Sequence, residues 1–422
     1  MRTAYTAIFY LLIPFILLRL FWRGIKAPAY RQRWRERFGY YGKPFSKDVI
    51  WFHAVSVGEA EAVFPLVRRF QQQFSQEILL ITTTTPTGSA RVRAVLGETV
   101  EHVYLPYDIP SVVGRFMHSF KPKIAVIMET EIWPNLFTYC GKNGIPLYVI
   151  NARLSEKSTR GYQKIAPLIH PVIANVKQVV AQTQADAERF VAIGAKPEQV
   201  VVMGNIKFDL VIPDDIIKKG KQLKAEAFGG RFVWLAASTH KGEEQILLDV
   251  YNELKPKIPE LLLLIVPRHP ERFAEVSALC IQGNLTVVTR SSNRLCGLDT
   301  DIYLADTMGE LKMLYAAADV AFVGGSMVPV GGHNLLEPAV VGVPVLFGPY
   351  MANFKEIANK VIVHKAAIQC QEKADISTAI LSVYSDANYR NLLVDNGKLF
   401  VQTNRGVIDK LCKILANNLD AA

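Results

Sequence analysis

Two stretches in the first half of the chain put carboxylates where they could handle protons. In His53-Ala54-Val55-Ser56-Val57-Gly58-Glu59 an apolar run ends, and a helical pattern begins at about Glu59. A carboxylate in a first helical turn stays ionised, because the backbone amides there favour negative charge. Glu59 could therefore act as a general base on an acceptor hydroxyl, with Ser56 and Gly58 on the acceptor side. On the residues alone, an ordinary first-turn glutamate is the simpler account. Met128-Glu129-Thr130-Glu131-Ile132-Trp133-Pro134-Asn135 follows another apolar run and sets two carboxylates at i and i+2 beside an aromatic ring. Pro134 suits the first position of a helix, with Trp133 packed beneath it. Glu129 and Glu131 could position an acceptor or support charge near the base; a helix-start acidic cluster explains them equally well.

The second half carries residues suited to a phosphate and a nucleoside. Ser238-Thr239-His240-Lys241-Gly242-Glu243 has the hydroxyl-rich form of a helix start, where exposed amides bind phosphate and a cap by Ser238 or Thr239 is the plain alternative. In Pro267-Arg268-His269-Pro270-Glu271-Arg272, Arg268 is placed to meet a phosphate, beside His269, while Arg272 is expected to pair with Glu271 or solvent. Asp306-Thr307-Met308-Gly309-Glu310-Leu311 is another cap-like turn that permits close backbone approach. The most informative stretch runs from Gly324-Gly325-Ser326 through Gly331-Gly332-His333-Asn334-Leu335-Leu336-Glu337-Pro338. Its paired glycines free the backbone to approach a ligand, and a helix is expected from about Asn334. Asn334 and Glu337 then share one helical face, where Glu337 could accept from a ribose hydroxyl. Asp299-Thr300-Asp301 has the spacing of a metal-binding DxD, but it lies in a polar turn with no third ligand nearby, so no metal is expected.

The elements that must position these loops follow from periodicity. Seven short apolar runs, from Val49–Ala54 to Val200–Met203, alternate with amphipathic stretches. A second series comprises Phe232–Ala236, Leu261–Val266, Leu285–Thr289, Val320–Val323 and Val345–Phe347. Continuous apolar runs separated by helices imply parallel strands covered on both faces. The expectation is an α/β chain of two doubly wound, Rossmann-like lobes (25–210 and 225–405), facing a ligand cleft across their carboxyl strand ends. A linker is expected at 211–224, and a last helix within 406–422 packing back on the first lobe. No GxGxxG or GxxxxGK[ST] follows any strand, which removes the dinucleotide-binding dehydrogenase as the default.

Charge and hydropathy single out the N-terminus. Residues 1–45 hold nine basic side chains against Glu36 alone and so carry eight of the ten net positive charges of the 422-residue chain. Basicity confined to one end is not a nucleic-acid footprint, which would spread over a face of the body. Ala4–Leu18 is apolar or weakly polar throughout and resumes after Arg19 with Leu20-Phe21-Trp22, so residues 1–24 are expected to be a membrane anchor, spanning or monotopic, with a buried helix of the first domain as the plain alternative. The Arg31-x-Arg33-x-Arg35-x-Arg37 run suits an anionic cytoplasmic leaflet. The five scattered cysteines show no ligand or disulfide spacing.

Taken together, KAPAYRQRW (Lys26–Trp34), HAVSVGE, LPYD (Leu105–Asp108), METEIWPN, NARLS (Asn151–Ser155), STHKGEE, VPRHPERF, DTMGEL, FVGGS and GGHNLLEP resemble the Kdo transferases of lipopolysaccharide synthesis, over nearly the whole chain. Kdo is 3-deoxy-D-manno-oct-2-ulosonic acid. The resemblance implies a GT-B-like architecture and transfer of Kdo from CMP-Kdo to the 6′ position of a lipid A precursor, without a cofactor, at the cytoplasmic leaflet of a bacterial inner membrane. It implies Glu59 as base and Glu129 and Glu131 as an acidic pair. The donor side would comprise Ser238, Thr239, His240, Arg268, His269, Met308, Gly309, Gly331, Gly332, Asn334 and Glu337. The nearest rivals are a soluble nucleotide-sugar epimerase, which would not need residues 1–45, and a non-enzymatic protein binding membrane or nucleic acid through its basic end.

Overall fold

The computed structural model describes residues 1–42, 48–417 and 419; Lys43 of the basic end and residues 420–422 of the last segment lie outside them. The chain forms two compact units, Met1–Asp209 with Gly406–Ala422, and Leu210–Arg405. The first contains β1 (Val49–His53), β2 (Ile78–Thr83), β3 (Glu101–Tyr104), β4 (Pro122–Met128), β5 (Leu147–Ala152), β6 (Gln178–Ala181) and β7 (Val200–Val202). All are parallel, in the order 3-2-1-4-5-6-7. β1 and β4 are buried on both faces, which is why they read as unbroken apolar runs rather than alternating ones.

The second unit contains β8 (Phe232–Thr239), β9 (Leu261–Pro267), β10 (Val287–Thr289), β11 (Ile302–Leu304), β12 (Val320–Val323), β13 (Val345–Phe347) and β14 (Ile368–Gln369), parallel in the order 10-11-9-8-12-13-14. β11 and β14, of three and two residues, are absent from the sequence pattern. Each sheet has one topological switch point, β1/β4 in the first and β8/β12 in the second. In open α/β sheets, ligands bind at the carboxyl ends of such strand pairs.

Two expectations change. Within the segment read as a linker, Asp214–Ala227 is a helix. Asp214 and Asp215 occupy its first turn, where they complement the dipole. It packs in the second unit so closely that a Cβ on Gly220 would stand 2.2 Å from the Met313 carbonyl oxygen. The basic run also divides. Arg33 and Arg37 turn inward and stack on Tyr104, with their guanidinium carbons 4.7 and 4.2 Å from the ring centre. Arg37 is buried and donates to the Thr84 carbonyl at 2.9 Å. Arg31 and Arg35 alone of the four are exposed.

The helix Val407–Ala416 lies in the first unit, its start bonded to the Asp209 carboxylate through Gly406 N–H at 2.5 Å. Its Val407, Leu411, Cys412 and Leu415 join the apolar layer on one face of the first sheet.

Candidate active site

In the first unit, the chain leaves β1 into the helix Val57–Gln73. Ser56 caps that helix, accepting Glu59 N–H at 3.4 Å. Glu59 reaches back, accepting Val55 N–H at 2.8 Å on Oε2 and the Ser56 hydroxyl at 3.3 Å on Oε1. These bonds to Val55 and Ser56 fix the carboxylate at the end of β1. Gly58 is exposed. Burial pushes the Glu59 carboxyl up to about 7; the charges of Glu129 and Glu131 raise it further, against the two hydrogen bonds, which lower it. Glu59 is thus both a first-turn glutamate and a carboxylate that titrates near neutrality.

Glu129 follows β4 directly, across the switch point from Glu59, at a φ of +56°. A non-glycine residue in the left-handed region is held there by its surroundings at a cost of order 1 kcal/mol. Here the strand ladder persists through it, since Glu129 N–H donates to the Ile150 carbonyl at 3.0 Å. Burial raises the Glu131 carboxyl, the neighbouring Trp133 indole opposes that, and Glu129 adds to it. Pro134 is the first residue of the helix Pro134–Lys142. The three carboxylates therefore interact electrostatically at one end of one sheet. Asp108, present in the sequence motif but without an assigned role, is a hub of this region. It is buried and accepts Asn135 N–H at 2.9 Å and Leu136 N–H at 2.8 Å. Local spacing gives no signal for a bond between positions 27 residues apart.

In the second unit the site is built around a residue that sequence reasoning passed over. Glu243, fully buried, accepts four backbone N–H groups: His240 at 3.0 Å, Gly325 at 2.6 Å, and Ser326 and Met327 at 2.9 Å each. One carboxylate thereby ties the end of β8 to the loop after β12, the two strands of the switch point. Ser238 sits at φ +56°, and Thr239 is buried with a hydroxyl that has no partner among the described residues. His240 Nε2 lies 2.8 Å from His333 Nε2, the rings stacked at 5.1 Å, and His269 meets His240 edge-on at 5.4 Å. Burial lowers His333 to about 4, helped by the His240, Arg268 and His269 charges. Burial lowers His240 too, with His269 and Arg268 adding. Arg268 is exposed, its N–H bonded to the Thr239 carbonyl at 3.0 Å.

Gly331 and Gly332 both donate to the Gly325 carbonyl, at 3.2 and 2.7 Å. Gly332 has φ +73°, and a Cβ there would stand 2.2 Å from Met351 Sδ, so a side chain would strain the backbone and displace Met351. Asn334 stands just before the short helix Leu336–Val341 and accepts Leu336 N–H at 3.0 Å, while Glu337 lies in the helix's first turn. The helix begins two residues later than the sequence suggests. Met308 and Gly309 lie on the loop after β11, two strands from β8, with Met308 exposed and Gly309 at φ +86°. Arg272 corrects an expectation: it pairs with buried Glu244, at 2.5 and 3.1 Å, through a fork that only the packing of their elements brings together. Asp301 of the DxD is engaged by Tyr251 Oη at 2.8 Å and Thr286 N–H at 2.9 Å. Among the described residues no cluster of three metal-ligating side chains occurs.

Known proteins resemble this chain closely. A sequence profile of the 3-deoxy-D-manno-octulosonic-acid transferases matches residues 32–210. The 3-deoxy-D-manno-octulosonic acid transferase of Haemophilus influenzae is 38% identical over 99% of both chains. That of Bordetella pertussis is 32% identical over 85% of this chain and 84% of its own. Among solved structures, a glycosyltransferase from Rickettsia africae (14% identity, TM-score 0.58) covers 90% of this chain and all of its own. The UDP-GlcNAc 2-epimerase of Neisseria meningitidis (13%, TM-score 0.57) covers 89% and all of its own. At those identities the structures speak for the fold alone, and with the two doubly wound sheets they identify it as GT-B-like.

Proposed function

The chain belongs to the 3-deoxy-D-manno-octulosonic acid (Kdo) transferase family, and on that premise we propose that it moves Kdo from CMP-Kdo to the 6′-hydroxyl of a lipid A precursor with inversion. The observation that carries this reading is Glu59: a carboxylate at the β1/β4 switch point, titrating near 7 beside two further carboxylates. A base is most useful when its pKa lies near the working pH.

In the proposed reaction Glu59 takes the proton of the acceptor hydroxyl as its oxygen attacks the anomeric carbon of Kdo. The bond from that carbon to the CMP phosphate breaks, and CMP leaves with the electron pair. A β-configured donor and an α-linked product require a single displacement, hence one base and one group to receive charge on the phosphate. Glu129 and Glu131 keep Glu59 basic and orient the acceptor, with Ser56 and Gly58 beside it. On the donor side Arg268 supplies a permanent positive charge for the single phosphate. Ser238, Thr239, His240 and His269 form the cradle around it, and the Gly331–Gly332 turn allows backbone approach. Asn334, Glu337, Met308 and Gly309 are assigned to the nucleoside. The acceptor is a lipid, so the proposal includes attachment to the cytoplasmic face of the inner membrane through Arg2–Ile25, which is long and apolar enough to cross a membrane.

The test is incubation of the full-length protein with CMP-Kdo and tetra-acylated lipid A precursor. CMP release coupled to a Kdo-bearing lipid is expected; absence of CMP release with both substrates present sinks the proposal.

A further inference from the structure

The first helix, Arg2–Lys26, does not stand away from the folded unit. Near its start, Tyr5 Oη donates to Asp108 Oδ2 at 3.0 Å, and Thr6 exchanges hydrogen bonds with the Asn135 amide at 3.0 and 3.2 Å. Phe9 packs against Tyr107, ring centres 6.3 Å apart. At its other end, Gly24 is buried against the Arg31 side chain, where a Cβ would stand 2.3 Å from Arg31 Cγ. The covered positions along the helix are Tyr5, Thr6, Phe9, Ile13, Ile16, Leu17, Leu20 and Gly24, which recur at helical spacing. At about 100° per residue they form one stripe. Exposed Ile8, Leu11, Phe15, Leu18, Trp22 and Ile25 form the opposite stripe. Arg19 and Arg23, both exposed, fall on the flank between the two.

This is the pattern of a helix with protein on one side and an apolar medium on the other, basic residues marking the boundary. It is not that of a helix surrounded by lipid. From Tyr5 to Gly24 the helix runs roughly 28 Å at about 1.5 Å per residue, close to the ~30 Å of a hydrocarbon core. Were it to cross, Tyr5 and Thr6 would stand a bilayer away from Asp108 and Asn135, groups of the same unit to which the other end is also attached.

We propose that Arg2–Lys26 lies in the plane of one leaflet, its Ile8–Ile25 stripe in the acyl region of an anionic bilayer and its start locked onto Asp108 and Asn135. Arg19, Arg23, Arg31 and Arg35 then meet the phosphate headgroups from the same side. Because Asn135 follows Glu131 by four residues, the lock also sets the carboxylate end of the first sheet at the leaflet surface, where a lipid hydroxyl arrives. The inference rests on the membrane attachment proposed above, but its test reads topology and is independent of CMP release.

The experiment places one cysteine at exposed Thr3 in full-length protein carrying Cys296→Ser, the other four native cysteines being buried. A membrane-impermeant maleimide is applied to intact spheroplasts and to inverted vesicles. Labelling at least tenfold stronger in inverted vesicles is expected; equal or stronger labelling in spheroplasts overturns the proposal. Nitroxides at Phe15→Cys and Ile25→Cys, both outside the protein contact, give a second reading in vesicles containing anionic lipid. An in-plane helix places them at one depth. A crossing helix separates them by roughly 15 Å, ten residues at about 1.5 Å each, and that result also overturns it.

Discussion

His240 Nε2 and His333 Nε2 stand 2.8 Å apart, so one nitrogen must donate and the other accept, and the two rings cannot both be imidazolium without losing that bond. Burial first, and then neighbouring positive groups, hold both imidazoles below their ordinary range, His333 at about 4. A folded pKa below the unfolded one means that the folded state resists protonation. Stability from this pair is full above about 6.5 and falls as pH drops towards about 4. His333→Asn should flatten that part of the thermal-unfolding profile relative to the parent. An unchanged slope between those limits would contradict the assignment.

Glu59→Gln is expected to cut transfer by roughly 10²–10⁴-fold, the usual worth of a general base, while CMP-Kdo binding by calorimetry stays within twofold. Transfer by the parent should rise with pH through about 7 as Glu59 ionises. Its contribution to stability has the opposite sense. The folded pKa is raised, so that contribution is full below about 4.5 and lost as pH rises through about 7. The glutamine variant should therefore melt higher than the parent at pH 8.

Because the Glu129 and Glu131 charges both raise Glu59, Glu129→Gln and Glu131→Gln should each move the acidic limb of the pH–rate profile to lower pH. The maximal rate should fall as well if either orients the acceptor. A limb that stays in place in both variants would remove the electrostatic part of their role.

Glu243→Ala leaves four N–H groups without their shared acceptor and unties the β8 end from the Gly325–Met327 loop. A loss of about 3 kcal/mol in denaturant unfolding is expected, with CMP-Kdo affinity down at least tenfold. Arg268→Ala should weaken donor binding comparably with stability nearly unchanged, since its side chain is exposed.

Arg272→Ala strands the buried Glu244 carboxylate and should cost about 3–5 kcal/mol. The double change Glu244→Leu with Arg272→Met should recover most of that loss, which a urea-unfolding cycle measures directly. If the double variant is as unstable as the single one, the pair's value lies in its other contacts.

What the sequence by itself determined is local. Strands buried on both faces must be continuous apolar runs, so β1, β4, β8 and β12 were legible, and with them two parallel sheets. The first-turn place of Glu59, the Pro134 helix start and the Gly331–Gly332 turn were legible because each is decided within four residues. Only tertiary structure decided which distant groups meet. Glu243 reaches a loop more than eighty positions away because β12 lies beside β8, and Arg272 turns to Glu244 rather than to Glu271. Arg33 and Arg37 leave the basic run for the Tyr104 ring, and Tyr5 finds Asp108 across 103 positions. The physical reason is the same in each case. Periodicity and capping are set by near neighbours along the chain. A buried charge or hydroxyl takes whatever partner the packing of whole elements puts within three ångströms, and no local pattern records that choice.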